Sequence, residues 1–246
     1  MSQTVDRALA LLAELAEGER SLEQLATLLG VHKSTALRLL RSLEQARLVH
    51  RDPAHRYHLG AGLFALAGRA LEQRPVRRIA APHLAELNAA TGQTVHLAAL
   101  EGGEVVYVDK YESRQPVRMY SRIGLPVPLH CAAVSKVLLA GLPPTERRRL
   151  VGTVEFTPFT ARTLTTPQAL LAELDTVAEQ GWAQDRGEHE SFVNCVAAPV
   201  RDATGRVVAA VSLSAPDLVL RHEQVLALLP RLLAAAATVS ADCGAP

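Results

Sequence analysis

"SLEQLATLLGVHKSTALRLLRSLEQARLVHRDPAHRYHLG", residues 21–60, decides the fold of the first quarter of the chain. Ser21 with Gln24 three positions on is a capping box, opening a short helix that ends at Gly30. Then "VHKSTALRLLRSLEQA" begins a second helix, with Ala36, Leu39, Leu40 and Leu43 on one face. Two short helices joined through a glycine make a helix-turn-helix. Ala26 is small enough for a tight crossing, and Leu25, Leu29 and Val31 fill between the helices. Upstream, Val5, Ala8, Leu9, Leu12, Leu15 and Ala16 recur at helical spacing, and Gly18 closes that helix. Downstream, "LVHR" and "RYHL" are strand-like runs around the turn "DPAH", so a hairpin follows. A helix-turn-helix followed by a basic hairpin is a winged helix.

Charge points the same way. The chain of 246 residues carries a formal net charge of only +1, yet residues 30–60 hold six Lys or Arg, four His and two acids. Local fields rather than the total steer a protein towards a polyanion. The solvent face of the second helix offers Lys33, Ser34, Thr35, Leu37, Arg38 and Arg41, and the wing offers Arg51, His55 and Arg56. Cations neutralise phosphates, while short polar groups approach base edges in the major groove. A solvated helix face also carries long basic side chains. The wing that follows favours the reading in which Lys33, Ser34, Thr35, Arg38, Arg41 and Arg56 contact double-stranded DNA. His50, His55 and His58 sit at strand spacing with no supporting cysteine, so they read as wing surface rather than metal ligands.

Composition narrows the rest. Hydrophobic residues make up 48%, enough for a core, and aromatics only 4%, too few for a platform that stacks single-stranded bases. Cys131, Cys195 and Cys243 are far apart and odd in number, which suits a reducing cytoplasm better than a disulfide framework. No signal peptide or membrane-spanning run is visible.

"GAGLFALAGRALEQRP" is apolar at helical spacing through Leu63, Leu66, Ala67, Ala70 and Leu71 and ends before Pro75. It reads as a linker helix that either dimerises or packs on the winged helix. The expected organisation is α+β: a winged helix-turn-helix at 1–60, a linker helix at 61–74 and an effector domain at 75–246. In that last part, "TVHLAALEGGEVVYVDKYE" is a hairpin around Gly102-Gly103, "VRMYSRIG" and "PVPLH" are extended, and "CAAVSKVLLAGL" and "PQALLAELDTVAEQG" are helices. "WAQDRGEHES" is a strand running into a loop. "NCVAAPVRDATGRVVAAVSLSAP" is a second hairpin turning at Thr204-Gly205, and a final helix starts near Arg221. Tight turns imply antiparallel pairing with helices covering the sheet.

Two places concentrate polar groups among small apolar residues. In "PLHCAAVSK" a strand gives way to a helix whose first N–H groups, around Ala132 and Ala133, suit an anion. On the last hairpin Ser212 and Ser214 share a strand face, Cys195 begins the partner strand, and Asp185, Glu188 and His189 precede it. Such groups either line a pocket for a small polar ligand or simply pack. Catalysis has weaker support. Cys131, Cys195, His96, His130, His189, Asp185 and Glu188 are suitable residue types, but no HExxH or GxSxG spacing joins them, and no dinucleotide or P-loop fingerprint appears.

Taken together, "VDRALALLAEL", "SLEQLATLLGVHKSTALRLLRSLEQARLV", "RYHLG", "IGLPVPLHCAAVSKVLLAG", "FTPFTARTLTTPQALLAEL" and "NCVAAPVRDATGRVVAAVSLSAP" resemble the IclR family of bacterial transcriptional regulators over nearly the whole chain. The resemblance implies a winged helix joined to a GAF-like effector domain, assembled as homodimers or homotetramers, binding operator DNA and a small organic acid, commonly as a repressor and without cofactor or metal. Carried over residue by residue, it implies effector contacts at Ala132, Ala133, Asp185, Cys195, Ser212 and Ser214. "VYVDKYESRQPVRMYSRIG" looks closest to members that sense sugar acids. The chain departs from the family at Ser135-Lys136, where Gly-Lys is usual, and at Ala36, where a larger aliphatic is common. It also departs at "SFVNC", whose bulky Phe192 would narrow or plug the pocket.

Overall fold

The structure, a computed structural model, describes residues 3–115 and 119–245. The chain divides into two compact units, Met1–Gln73 and Arg74–Pro246.

In the first unit, α1 (Gln3–Ala16), α2 (Leu22–Leu28) and α3 (Lys33–Gln45) precede a two-stranded sheet, β1 (Val49–Arg51) and β2 (Tyr57–Leu59), and α4 (Gly62–Glu72). The capping box forms: the Gln24 N–H donates to Ser21 Oγ at 3.2 Å and the Ser21 N–H to Gln24 Oε1 at 2.8 Å. The α2–α3 turn passes through Gly30 at φ +61°, a left-handed conformation that glycine adopts without strain. The buried side of α3 is Ala36, Leu39, Leu40 and Leu43, which meets Leu11, Leu15 and Leu25. Each fully buried leucine contributes about 1.5–3 kcal/mol. Antiparallel β1 and β2 pair His50 with His58, and the fully buried Tyr57 adds Arg20 as a short third rung through two backbone bonds. A Cβ on Gly60 would lie 2.3 Å from the Arg47 carbonyl oxygen, so the chain leaving the wing needs glycine there. None of the α4 side chains is buried; Phe64 is 80% and Leu66 58% exposed.

In the second unit, α5 (Pro75–Thr91) leads to β3 (Thr94–Glu101), β4 (Glu104–Tyr111) and the short β5 (Pro126–Val127). Helices α6 (Ala133–Ala140), α7 (Pro144–Val151) and α8 (Pro167–Gln180) follow, then β6 (Ala183–Arg186), β7 (Val193–Arg201), β8 (Val207–Pro216), α9 (His222–Ala227) and α10 (Leu229–Asp242). The six strands form one antiparallel sheet in the order β5-β4-β3-β8-β7-β6. One apolar cluster packs α6, α7 and α8 on one face, and another packs α5, α9 and α10 on the other. With helices on both faces, β7 and β8 are apolar on both sides and rich in Val and Ala, which let the layers approach closely.

Three sequence expectations change. Met119–Gly124, expected to be extended, belongs to a loop, and Val117 and Arg118 of that stretch lie outside the described residues. Helix α7 was not foreseen, because "PTERRRLV" buries only Leu150 and Val151 and so shows no apolar period. The single final helix is two, α9 and α10, since Pro230 has no N–H to continue α9 and suits the first turn of a new helix.

Candidate functional site

Each unit carries one site. On the first, α3 turns His32, Lys33, Ser34, Arg38 and Arg41 to solvent, with Thr35 half-buried at the same end. Because the His32 N-cap makes no side-chain bond, the first N–H groups of α3 are not covered by a cap. Arg38 and Arg41 stand about one turn apart on the exposed face. Lys33 is different: its Nζ lies 2.6 Å from Glu23 Oε1 of α2, with both side chains 61% exposed. That pair holds the Glu23 carboxyl below its usual range through the Lys33 hydrogen bond.

The wing differs from expectation at Arg56. Its side chain is two-thirds buried, with Nε 3.3 Å from Glu19 Oε1 and a terminal nitrogen donating to the Glu19 carbonyl. Arg56 therefore braces the wing instead of extending from it. Arg51 and His55 are exposed on the wing, and His55 takes φ +63° at the turn.

The second site is a partly open cavity of about 60 Å³ in the other unit. Its floor comes from strand register. Asp185 of β6 pairs with Cys195 of β7, which pairs with Ser214 of β8, forming one row across three strands. Ser212 lies two residues along the same face and pairs with His96 of β3. Ala132, Ala133 and Val134 bring the N-terminus of α6 to the cavity, and its N-cap Ala132 offers no side-chain bond. All six predicted effector residues line this one space.

Burial sets the electrostatics. Desolvation pushes the Asp185 carboxyl up to about 7, although the Glu188 N–H donates to its Oδ1 at 2.6 Å. Burial also lifts the Cys195 thiol to about 12 and raises Cys131, so both sulfurs are neutral thiols. Ser214 Oγ donates to Cys195 Sγ at 3.2 Å. His96 is held neutral, its pKa lowered to about 3 by burial and by nearby Lys110. Its Nε2 lies 2.8 Å from Ser121 Oγ and its Nδ1 3.4 Å from Ser212 Oγ.

Sequence reasoning missed several lining residues: His96, Tyr107, Met119, Tyr120, Ser121 and Glu190. The Met119–Leu125 loop roofs the cavity, tied to the sheet by Ser121 and by Lys110 Nζ, which donates to the Met119 and Ser121 carbonyls. Phe192 does not plug the pocket. It is 55% exposed and absent from the lining. It stands in the turn before β7, where alternation has not yet turned a side chain inward.

Behind the cavity, Lys136 of α6 is 1% exposed and spends its three N–H bonds on Glu188 Oε1 (2.6 Å), the Gln184 carbonyl (3.0 Å) and Glu173 Oε1 (3.1 Å). Burial opposes the ammonium, but the two carboxylates outweigh it and its pKa is raised. This anchor fixes the loop after Asp185.

A winged helix-turn-helix in one unit and a pocket with a row of polar groups in the other define a ligand-responsive DNA-binding regulator. The family described as "IclR helix-turn-helix domain" matches residues 4–53, and "Bacterial transcriptional regulator IclR C-terminal" matches residues 68–241. The chain belongs to the IclR family of transcriptional regulators. It is 37% identical over 229 residues to the HTH-type transcriptional regulator KdgR of Escherichia coli, covering 93% of this chain and 87% of that one. It is 32% identical to the HTH-type transcriptional repressor AllR of Escherichia coli over 88% of this chain and 81% of that one. The crystal structure of the Thermotoga maritima IclR superposes with a TM-score of 0.84 at 32% identity, covering 98% of both chains. An IclR homologue from Microbacterium hydrocarbonoxydans, crystallised with 4-hydroxybenzoate, shares the fold at 23% identity, with a TM-score of 0.80 over 96% of this chain and 98% of that one.

Proposed function

We propose that this regulator is a repressor released by a small organic or sugar acid. Residues 1–60 act as its DNA-binding domain, 61–74 as a linker helix and 75–246 as its effector domain. The observation that carries the reading is the cavity itself: an uncapped helix N-terminus at Ala132–Ala133 faces the row Asp185–Cys195–Ser214 and Ser212. The α6 N–H groups take the ligand carboxylate, and the serines and Asp185 take its hydroxyl or carbonyl oxygens. A space of about 60 Å³ holds roughly four to six waters, so a six-carbon sugar acid enters only if the Met119–Leu125 roof moves. The ligand then favours the arrangement it fits best and shifts the population away from the DNA-binding form.

Lys33, Ser34, Thr35, Arg38 and Arg41 read duplex operator DNA, while Arg56 serves by holding the wing. The exposed apolar side chains of α4 support a homodimer, or a homotetramer built from it. The chain works in the cytoplasm and is not an enzyme: its buried thiols are protonated, and His96 has both nitrogens engaged. No helix among the described residues is long and apolar enough to cross a membrane.

A thermal-shift screen of the full chain against organic and sugar acids tests the pocket. One chemical class should raise the melting temperature by several degrees, and Ser212→Ala or Ser214→Ala should abolish the shift. A flat screen across both classes sinks the ligand assignment, and an unaltered shift in the serine variants sinks the site.

A further inference from the structure

At the base of the wing, folding brings Glu19 beside Asp52 and His58, two residues of the same hairpin. Glu19 comes from the α1–α2 connection, Asp52 from the start of the wing turn and His58 from β2. One ligand atom from each lies within 4.8 Å of the other two. His58 Nε2 is 3.0 Å from Asp52 Oδ2 and 3.7 Å from Glu19 Oε2.

Arg56 arranges these groups. Its backbone N–H donates to Asp52 Oδ1 at 2.8 Å, and its Nε lies 3.3 Å from Glu19 Oε1. Asp52 is thus held by one oxygen through a hydrogen bond, Glu19 has one oxygen near the guanidinium, and each presents its other oxygen to His58. The His58 ring is held as well, stacked on His50 at 5.0 Å with 15° between the planes. Carboxylates and imidazoles oriented by such outer contacts are the usual setting of metal ligands.

The spacing fits an ion. Bonds of about 2.1 Å to nitrogen and oxygen place neighbouring donors about 3.0–3.4 Å apart. The observed 3.0 and 3.7 Å straddle that range, and rotation of the half-exposed Glu19 side chain closes the third separation. The two carboxylates and Arg56 leave one net negative charge, which favours a dication.

We propose that Glu19, Asp52 and His58 bind a divalent first-row transition ion, such as zinc, that staples the wing to the α1–α2 connection. One imidazole and two carboxylates suit such borderline ions, and water completes the coordination. The bound ion ties together three chain segments, so it stiffens the wing while leaving the exposed face of α3 open.

The test is calorimetric titration of zinc chloride into chelator-treated full-length protein. The expected result is one site per chain with a dissociation constant of about 10 μM or tighter. Affinity should fall at least tenfold in His58→Gln and in Asp52→Asn. It should hold in His83→Gln, which breaks the separate His83–Asp242 pair in the second unit. Circular dichroism checks that the variants fold, and Glu19→Gln replaces any that does not. No uptake below about 1 mM zinc, or uptake unchanged in all three wing variants, overturns the proposal.

Discussion

The exposed face of α3 presents Ser34, Arg38 and Arg41 to solvent, whereas Asp185, Cys195, Ser212 and Ser214 are each less than 9% exposed. One surface uses long charged side chains on a single helix. The other uses short polar groups that three strands bring side by side. The ion pairs follow the same division. Lys33–Glu23 sits in water, where such a pair contributes at most about 1 kcal/mol. Lys136 is enclosed with Glu188 and Glu173, where its partners depend on it. Charge on the DNA side is available for a partner, and charge on the pocket side is consumed within the fold.

The sharpest way to break this contrast is Lys136→Met. It strands the Glu188 carboxylate, whose Oε2 already has no partner, and should destabilise the second unit by about 3–5 kcal/mol in denaturant unfolding. Adding Glu188→Gln should recover much of that loss. A cost below about 1 kcal/mol would show that the anchor behaves like a surface pair.

Next in size is a pH effect at Asp185. Its folded pKa, about 7, lies above the ordinary carboxylate value of 3.8, so folding favours the protonated form. The resulting stability is complete below about pH 4 and is lost as pH rises through 7, a change on the order of 3–4 kcal/mol. Asp185→Asn should flatten the unfolding free energy across that window. An unchanged pH profile would place the carboxylate in a wetter setting than its burial indicates.

The smallest effects fall on the exposed side. Arg38→Ala should weaken duplex binding by about 1 kcal/mol and reduce the salt slope by about 1. Lys33→Ala should cost less, because Glu23 already offsets its charge, and Glu23→Gln should tighten binding slightly. Fluorescence anisotropy with a labelled duplex over a range of salt concentrations ranks the three. Equal losses for Arg38→Ala and Lys33→Ala would show that Glu23 releases Lys33 at no cost.

The same contrast explains what the sequence reveals. The buried face of α3 is the set that helical periodicity picks out, because one short amphipathic helix carries its own signal. The Ser21–Gln24 box and the turns at Gly102-Gly103 and Thr204-Gly205 are equally local. Within the pocket, period-two alternation alone places Ser212 with Ser214. The hairpin also sets Cys195 and Asp185 near them, but joining Ala132 and Ala133 to the same space required the family resemblance. His96, Tyr107 and Ser121 stayed hidden, because a buried histidine at strand spacing reads the same whether it faces a core or a cavity. Phe192 and Arg56 are placed by contacts that residue type does not show. Residue type suggested a plug and a phosphate contact, but the turn before β7 leaves Phe192 exposed and Glu19 binds Arg56. Neither fact is encoded nearby in sequence.

The row Asp185–Cys195–Ser214 has one more consequence. Its three members hang from a ladder whose hydrogen bonds are all main-chain, so exchanging one side chain leaves the strand pairing intact. What the cavity recognises can therefore be rewritten one position at a time, by swaps of similar volume among Ser, Cys, Ala and Thr, without a new backbone. The scaffold separates the problem of staying folded from the problem of choosing a signal, which makes this half of the chain a ready starting point for engineered biosensors.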